Sequence, residues 1–453
     1  VRGGAARSRD EGPDKGLDRR GCLIPPEPAD NPKGEDPRGT AKPFAITKRE
    51  VWEAYKRVKA NRGAAGEDDQ TIVDFERNLS RNLYKLWNRM ASGSYVAAPV
   101  RRVEIPKAHG GTRPLGIPTV ADRVAQTVVK ARLEPVLEAV FDKDSYGYRP
   151  ERSALGAVGV ARQRCWRYDW VLDLDIKAFF DSIDHDLLMS AVRFHTDCRW
   201  IVLYIERWLK APVRLPDGSL VERTQGTPQG GVISPLLANL VLHYAFDAWM
   251  RRTYPHIPFE RYADDAICHC RSKAEAEHLQ AALAARLARC KLTLHPEKTK
   301  IVYCKDADRR EDHPHQRFDF LGYTFRPRSV KSKYGKVFVS FTPAASDRAM
   351  KEARQTIRDW RFSRPSGATL DDLARQINPV VRGWIAYYGR YHRSAFDSVL
   401  GYLDRTLARW AARKYKRHKR RVRRAYAWLM RVKTRDPTLF VHWHAFEQPQ
   451  TAG

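Results

Sequence analysis

The sequence predicts an α+β protein: an antiparallel sheet framed by helices, then an all-helical C-terminal third. Three observations carry this. Trp170-Val171-Leu172-Asp173-Leu174-Asp175-Ile176 is a near-continuous apolar run, as in a strand covered on both faces. Phe259 to Cys268 reads as two short strands around a tight turn, with Asp264 and Asp265 at the tip. Between these landmarks and up to residue 300 the order is strand, helix, hairpin, helix, strand; from about residue 343 apolar residues recur at helical spacing.

Charge narrows the function classes. The chain has 453 residues, with 82 basic against 53 acidic, a net charge of +29 and a pI near 10.0. Such a balance calls for a polyanionic partner, nucleic acid before membrane, because no 18-residue apolar run occurs and no basic amphipathic anchor opens the chain. Seven scattered cysteines without a Cys-x-x-Cys pair suggest neither a disulfide framework nor a zinc site, and fit reduced thiols in a cytoplasmic protein.

Taken in order, residues 1–43 mix Gly, Pro, Arg and Asp and predict a disordered basic lead without a secretory signal. Thr47 and Glu50 form a capping-box pattern that starts a helix with Val51, Trp52, Tyr55 and Val58 on one face. Ile72, Phe75, Leu79, Leu83 and Leu86 predict a second helix. Val100 to Pro118, turning at Gly110-Gly111, reads as a β-hairpin carrying Lys107 and Arg113. A helix is expected over Asp122 to Val140, and a loop at Ser145-Tyr146-Gly147-Tyr148.

The carboxylates carry the chemistry. Adjacent acids at the end of a strand that the fold buries repel each other unless cations neutralise them. Hard oxygen donors favour Mg²⁺, with Mn²⁺ as substitute. One acid from the upstream strand and two from the hairpin suit two cations about 4 Å apart, the arrangement for in-line phosphoryl transfer. Asp173 and Asp175 share one strand face, so periodicity alone does not choose between them. Gln225-Gly226-Thr227-Pro228-Gln229-Gly230-Gly231 precedes a helix beginning at Ser234-Pro235, and its glycines let the backbone approach a ligand closely.

Together, Tyr262-Ala263-Asp264-Asp265 and Asp175-Ile176-Lys177-Ala178-Phe179-Phe180-Asp181 resemble the palm of a bacterial group II intron-encoded reverse transcriptase. The resemblance runs over nearly the whole chain after about residue 45. It implies a right-hand polymerase, with fingers, palm and a helical thumb/maturase domain, catalysing RNA-directed DNA synthesis. It selects Asp175, Asp264 and Asp265 as catalytic acids, places two Mg²⁺ ions on them and Ile176, and offers Lys298 as general acid. It assigns the incoming nucleotide to Lys107, Arg113 and Gln229, and the exclusion of a 2′-hydroxyl to Phe180. Phe318 to Phe325 resembles the primer grip, with Gly322 against the primer.

The same resemblance makes 343–412 the thumb/maturase domain, after a linker at 326–342. Pro379 is expected to interrupt a helix there. Arg413, Lys414, Lys416, Arg417, Lys419, Arg420, Arg421, Arg423 and Arg424 follow without an acid between them and predict a nucleic-acid-binding tail over 413–453. The other expected boundaries are an N-terminal extension at 44–98, fingers at 99–170 and palm with remaining fingers elements at 171–325. The ending resembles endonuclease-lacking members. Implied partners are group II intron RNA, RNA template with DNA primer, dNTPs and target DNA, with no membrane and no zinc. Two other readings are a maturase with a vestigial polymerase and a reverse transcriptase recruited to phage defence.

Overall fold

The computed structural model describes residues 42–106, 112–332, 334–362, 367–418 and 421–444. It divides into two compact units. The expected lead at 1–43 lies almost wholly outside the described residues, as do Lys107, Lys419 and Arg420.

The first unit comprises residues up to 135 with 196–224 and 228–234. Thr47 and Glu50 close the expected capping box on helix Lys48–Ala60. The single helix expected over 72–86 is two, Ile72–Glu76 and Leu79–Ala91. Asn78 breaks it with φ −129° and ψ 44°, and the Asn82 side chain donates to the Phe75 carbonyl at 2.9 Å, taking over an end-of-helix acceptor. The hairpin Val100–Pro106 with Thr112–Ile117 forms as expected, pairing Ile105 with Arg113 and Arg102 with Gly116. Tyr204 holds this unit's core together: its hydroxyl donates to the Met90 carbonyl, and its ring packs edge-on against Phe44 and Tyr95.

The second unit comprises 136–195, 225–227 and 235 onward. Its central sheet is wholly antiparallel, ordered Phe259–Tyr262, Asp265–Cys270, Trp170–Leu174, Lys300–Tyr303. Val171 and Leu172 are both fully buried, which explains the near-continuous apolar run: one face packs against Val158 and Phe320, the other against Leu279 and Leu283 of helix Lys273–Arg289. The strand expected over 292–300 begins only at Lys300; before it, Leu294 makes a single bridge to Ile176.

Three expectations about the C-terminal part are corrected. The supposed linker is a long hairpin, Tyr323–Lys331 with Val337–Ala345, whose apolar Phe325 and Phe341 are fully buried. Helix Leu370–Tyr388 runs through Pro379 instead of stopping. The neighbouring Asn378 side chain donates to the Leu439 carbonyl and accepts from the Val441 amide, so tertiary bonds hold the chain where proline removes a helical donor. The basic tail is not one tract. Helix Ser394–Lys414 ends, and a separate helix Val422–Arg435 packs back through Ala425, Leu429 and Val432.

Candidate functional site

Asp264 and Asp265 stand where the sequence places them, at the turn joining Phe259–Tyr262 to Asp265–Cys270. Tyr262 pairs with Asp265, so Ala263 and Asp264 alone make the turn, and Ala263 takes the left-handed φ of 57°. Asp175 follows the last residue of strand Trp170–Leu174; its carbonyl accepts from the His295 amide at 2.7 Å. Lys298 reaches the Asp175 carboxylate, with Nζ 3.1 Å from Oδ2.

These acids share one electrostatic focus. Desolvation first, then the Asp264 and Asp175 carboxylates, push the Asp265 carboxyl up to about 6, against Lys298 and Arg348. Asp173 is pushed up to about 8 by burial and then by Asp265, with Asp175 and Asp319 adding and Lys300 opposing. So the two candidates of one strand face differ in setting. Asp173 pairs across the sheet with Ile267 and Lys300, inside the strand, whereas Asp175 lies beyond its end. Asp319 and Arg348 were not anticipated.

What holds the turn was also missed. Glu260 and Arg261 point to opposite faces of one strand, and each is fully buried with its own partners. Arg261 donates to both oxygens of Asp247 at 2.7 and 2.6 Å, to Asn239 at 3.0 Å, to Ser145 Oγ at 2.8 Å and to the Ala263 carbonyl at 3.0 Å. That last bond fixes the peptide unit leading into Asp264. On the other face Glu260 meets Arg164 and His269, each at 2.6 Å. Gly147 lies against the turn so closely that a Cβ there would sit 2.4 Å from the Ala263 amide nitrogen. A pair of charges inside a strand that otherwise reads as apolar was the available signal. The partners, Ser145, Arg164, Asn239, Asp247 and His269, were not readable. Asp247 reaches Arg261 from a π-helical turn, His243–Asp247, whose extra residue re-aims the side chains after it.

Arg113 and Gln229 are brought together, Nε donating to Oε1 at 2.5 Å. Gly230 explains its own presence here: it has φ 123°, and a Cβ would fall 2.6 Å from the Gly116 carbonyl. In the second unit Phe180 is buried, its carbonyl accepting from the Thr227 amide at 2.8 Å. Gly322 has φ 77° and is flanked by Leu321 at φ 51°; the Tyr387 hydroxyl donates to the Leu321 carbonyl at 2.7 Å. Its backbone conformation alone therefore demands glycine.

Among the described residues, no three His, Cys, Asp or Glu side chains stand ready as a metal-ligand set. Asp175 is instead turned to Lys298. The donor chemistry still fits a hard divalent cation. Asp175, Asp264 and Asp265 supply only carboxylate oxygens, and Asp265 carries the cost of neighbouring negative charge.

Residues 105–325 match the family model for reverse transcriptase (RNA-dependent DNA polymerase), and residues 350–428 match the group II intron maturase-specific domain. Over 331 residues the chain is 32% identical to Protein YkfC of Escherichia coli K12, covering 64% of this chain and 83% of that protein. The chain belongs to the group II intron reverse transcriptase and maturase family. It is 36% identical over 193 residues to the group II intron-encoded protein LtrA of Lactococcus lactis subsp. cremoris, 42% of this chain and 32% of that one. It is 28% identical over 197 residues to the putative COX1/OXI3 intron 1 protein of Saccharomyces cerevisiae, 44% of this chain and 23% of that one. The matched stretch is thus about a third or less of these two longer relatives.

Within the maturase-specific region the basic residues divide. Lys414 is used inside the fold: its ammonium donates to the Gly367 and Ala368 carbonyls and sits 5.3 Å over the Trp410 ring. Arg417 lies over Trp428 and donates to His418. Arg413, Lys416, Arg421, Arg423 and Arg424 are exposed. Arg423 lines a groove of about 330 Å³ with Arg409 and with Arg405 and Tyr426, two residues the sequence reading passed over. No described helix is long and apolar enough to cross a membrane.

Proposed function

We propose that this family member is an RNA-directed DNA polymerase that also acts as a maturase, binding group II intron RNA to assist splicing and mobility. The observation that carries the polymerase reading is the gathering of Asp175, just past the end of its strand, with Asp264 and Asp265 at the hairpin turn, where burial first and then the Asp264 and Asp175 carboxylates raise the Asp265 carboxyl. Such a focus fits the residues that would hold Mg²⁺, or Mn²⁺ in its place, with Asp175, Asp264 and Asp265 as donors and Ile176 beside them. When bound, the cations supply a lowered pKa for the primer 3′-hydroxyl and stabilise the leaving pyrophosphate.

The chain's own groups do the rest. Arg113 presents a planar fork to the triphosphate of a dNTP, with Gln229 orienting it and Lys107 adding a point charge. Phe180 excludes a ribose 2′-hydroxyl by occupying its space. Lys298 gives a proton to the departing pyrophosphate. Gly322 lets the backbone approach the primer. Arg413, Lys416, Arg421, Arg423 and Arg424, with Lys419 and Arg420, grip RNA or target DNA through phosphates, and the net charge of +29 supports a polyanion.

The deciding experiment is primer extension on an RNA template with dNTPs and Mg²⁺, comparing wild type with Asp264→Ala/Asp265→Ala. Extension by wild type alone is expected, with RNA binding kept by both. Tight RNA binding without extension by either would leave a maturase with a vestigial polymerase.

A further inference from the structure

Strand Tyr323–Lys331 alternates its side chains across two faces. Tyr323 and Phe325 enter the core, while Thr324, Arg326 and Arg328 share the other face. That second face lines a cavity of about 360 Å³, completed by Arg317, by Ser394 and Ser398, and by His392. The cavity therefore gathers three guanidinium groups. None of them forms an ion pair among the described residues. Arg328 makes only long bonds to main-chain oxygens, 3.4 Å to Thr342 and 3.3 Å to Thr324. The one carboxylate at the rim, Asp347, is exposed and stands outside ion-pairing distance.

Like charges held together without an ion pair are costly, and the neighbouring groups register it. Burial and then Arg326 bring the Arg328 guanidinium down to about 10, with Asp347 opposing. Burial and then the same two arginines hold the His392 imidazole below its usual range. Helix Ser394–Lys414 begins at this cavity, adding the positive end of its dipole and the Ser394 hydroxyl. Planar guanidinium forks, hydroxyl groups and a helix start outweigh the single Asp347 carboxylate at the rim and form a surface suited to a tetrahedral oxyanion.

We propose that this cavity is a phosphate site, and that it takes a backbone phosphodiester of the template–primer hybrid. Continuity argues for the hybrid. Thr324 pairs with Asp319, and both flank the Leu321-Gly322 turn assigned above to the primer, so the inference rests on that reading. A chain leaving Gly322 along the outer face of this strand meets Thr324, Arg326 and Arg328 in succession. The contact is to phosphate and carries no sequence preference.

The test measures equilibrium binding of an RNA-template/DNA-primer hybrid over a series of NaCl concentrations. It compares wild type with Arg326→Gln and with Arg326→Gln/Arg328→Gln. Arg326 is exposed, so the single variant keeps the test valid if the double variant folds poorly. Loss of one phosphate contact lowers the magnitude of the salt slope by about 0.9, and affinity at 0.15 M salt falls by roughly tenfold. Binding of a structured RNA without a primer, and the thermal shift given by inorganic phosphate, are measured in parallel.

An unchanged slope and affinity in both variants overturns the proposal. So does a loss confined to the structured RNA, which would assign the site to another strand. A phosphate-induced thermal shift that the variants abolish, with hybrid binding intact, overturns it in favour of a free-phosphate site. If wild type itself fails to bind or extend the hybrid, the polymerase reading fails first, and the two failures are told apart.

Discussion

Arg261 offers the sharpest test of how the acidic turn is held. Its guanidinium is almost fully buried, as is Asp247, and it spends one bond on the Ala263 carbonyl, 3.0 Å away. Arg261→Ala leaves the Asp247 carboxylate buried without a counter-ion. Breaking a buried pair in this way costs about 3–5 kcal/mol. For a unit of this size that corresponds to a melting temperature lower by roughly 6–15 °C. Activity would fall too, but lost stability would confound it. Arg261→Met with Asp247→Leu removes both charges, and such replacements are about neutral for stability. The double variant should melt within about 3 °C of wild type. It still lacks the bond to Ala263, a charge-assisted bond of about 1.5–3 kcal/mol. If that bond serves to place Asp264, kcat for primer extension falls about 10- to 150-fold, while KM for dNTP and hybrid affinity move less than about threefold. The assay is single-nucleotide extension at saturating Mg²⁺. Wild-type kcat in the stable double variant would refute the positioning argument, and an unshifted melting point in Arg261→Ala would refute the buried-charge argument.

Four further outcomes are expected. Lys298→Ala frees the Asp175 carboxylate, and because the lysine is mostly exposed the pair is worth about 0.2–1 kcal/mol, so the Mg²⁺ midpoint falls about 1.4- to 5-fold while kcat drops about 10²-fold or more; a raised midpoint in a Mg²⁺ titration would sink the idea of competition. Asp265 has a folded pKa of about 6, above the unfolded value near 3.9, so its contribution to metal-free stability is fully present below about pH 4 and is lost as pH rises through 6. Asp265→Asn should flatten that limb in urea unfolding with EDTA, and an identical profile would contradict it. Gly147→Ala forces a Cβ into the Ala263 backbone and should destabilise by about 1–3 kcal/mol and lower extension, read by melting and kcat together; full activity would show that the turn yields freely. Asn378→Ala removes two bonds to the C-terminal segment and should cost about 1–3 kcal/mol in urea unfolding, with no loss if that segment is held by packing alone.

Local signals were enough for much of the fold. Thr47 and Glu50 predicted a helix start because a capping box acts within four residues. The hairpin around Asp264 was legible because alternation and a two-residue turn are local. Errors fell where long-range contacts override local preference. Pro379 sits inside a helix because Asn378 is tied to residues 439 and 441. The segment after Arg326 looked like a basic linker, but Phe325 and Phe341 bury across the hairpin they form. Composition hid that pairing, because the solvent face supplies the arginines.

By itself the sequence grouped Asp175, Asp264 and Asp265 and pointed to a polyanionic partner, because residue types and their order are what the chemistry is read from. Tertiary structure alone decided how each charge is balanced. Asp173 and Asp175 share a face but not a setting; Lys414 is used internally while Arg423 faces solvent. Arg261, which reads as an odd charge in an apolar strand, became the support of the turn only when Asn239, Asp247 and Ser145 closed around it. The physical reason is the reach of each interaction. Propensity and capping act over a few residues, whereas desolvation and ion pairing depend on groups that the chain brings together from a hundred residues away.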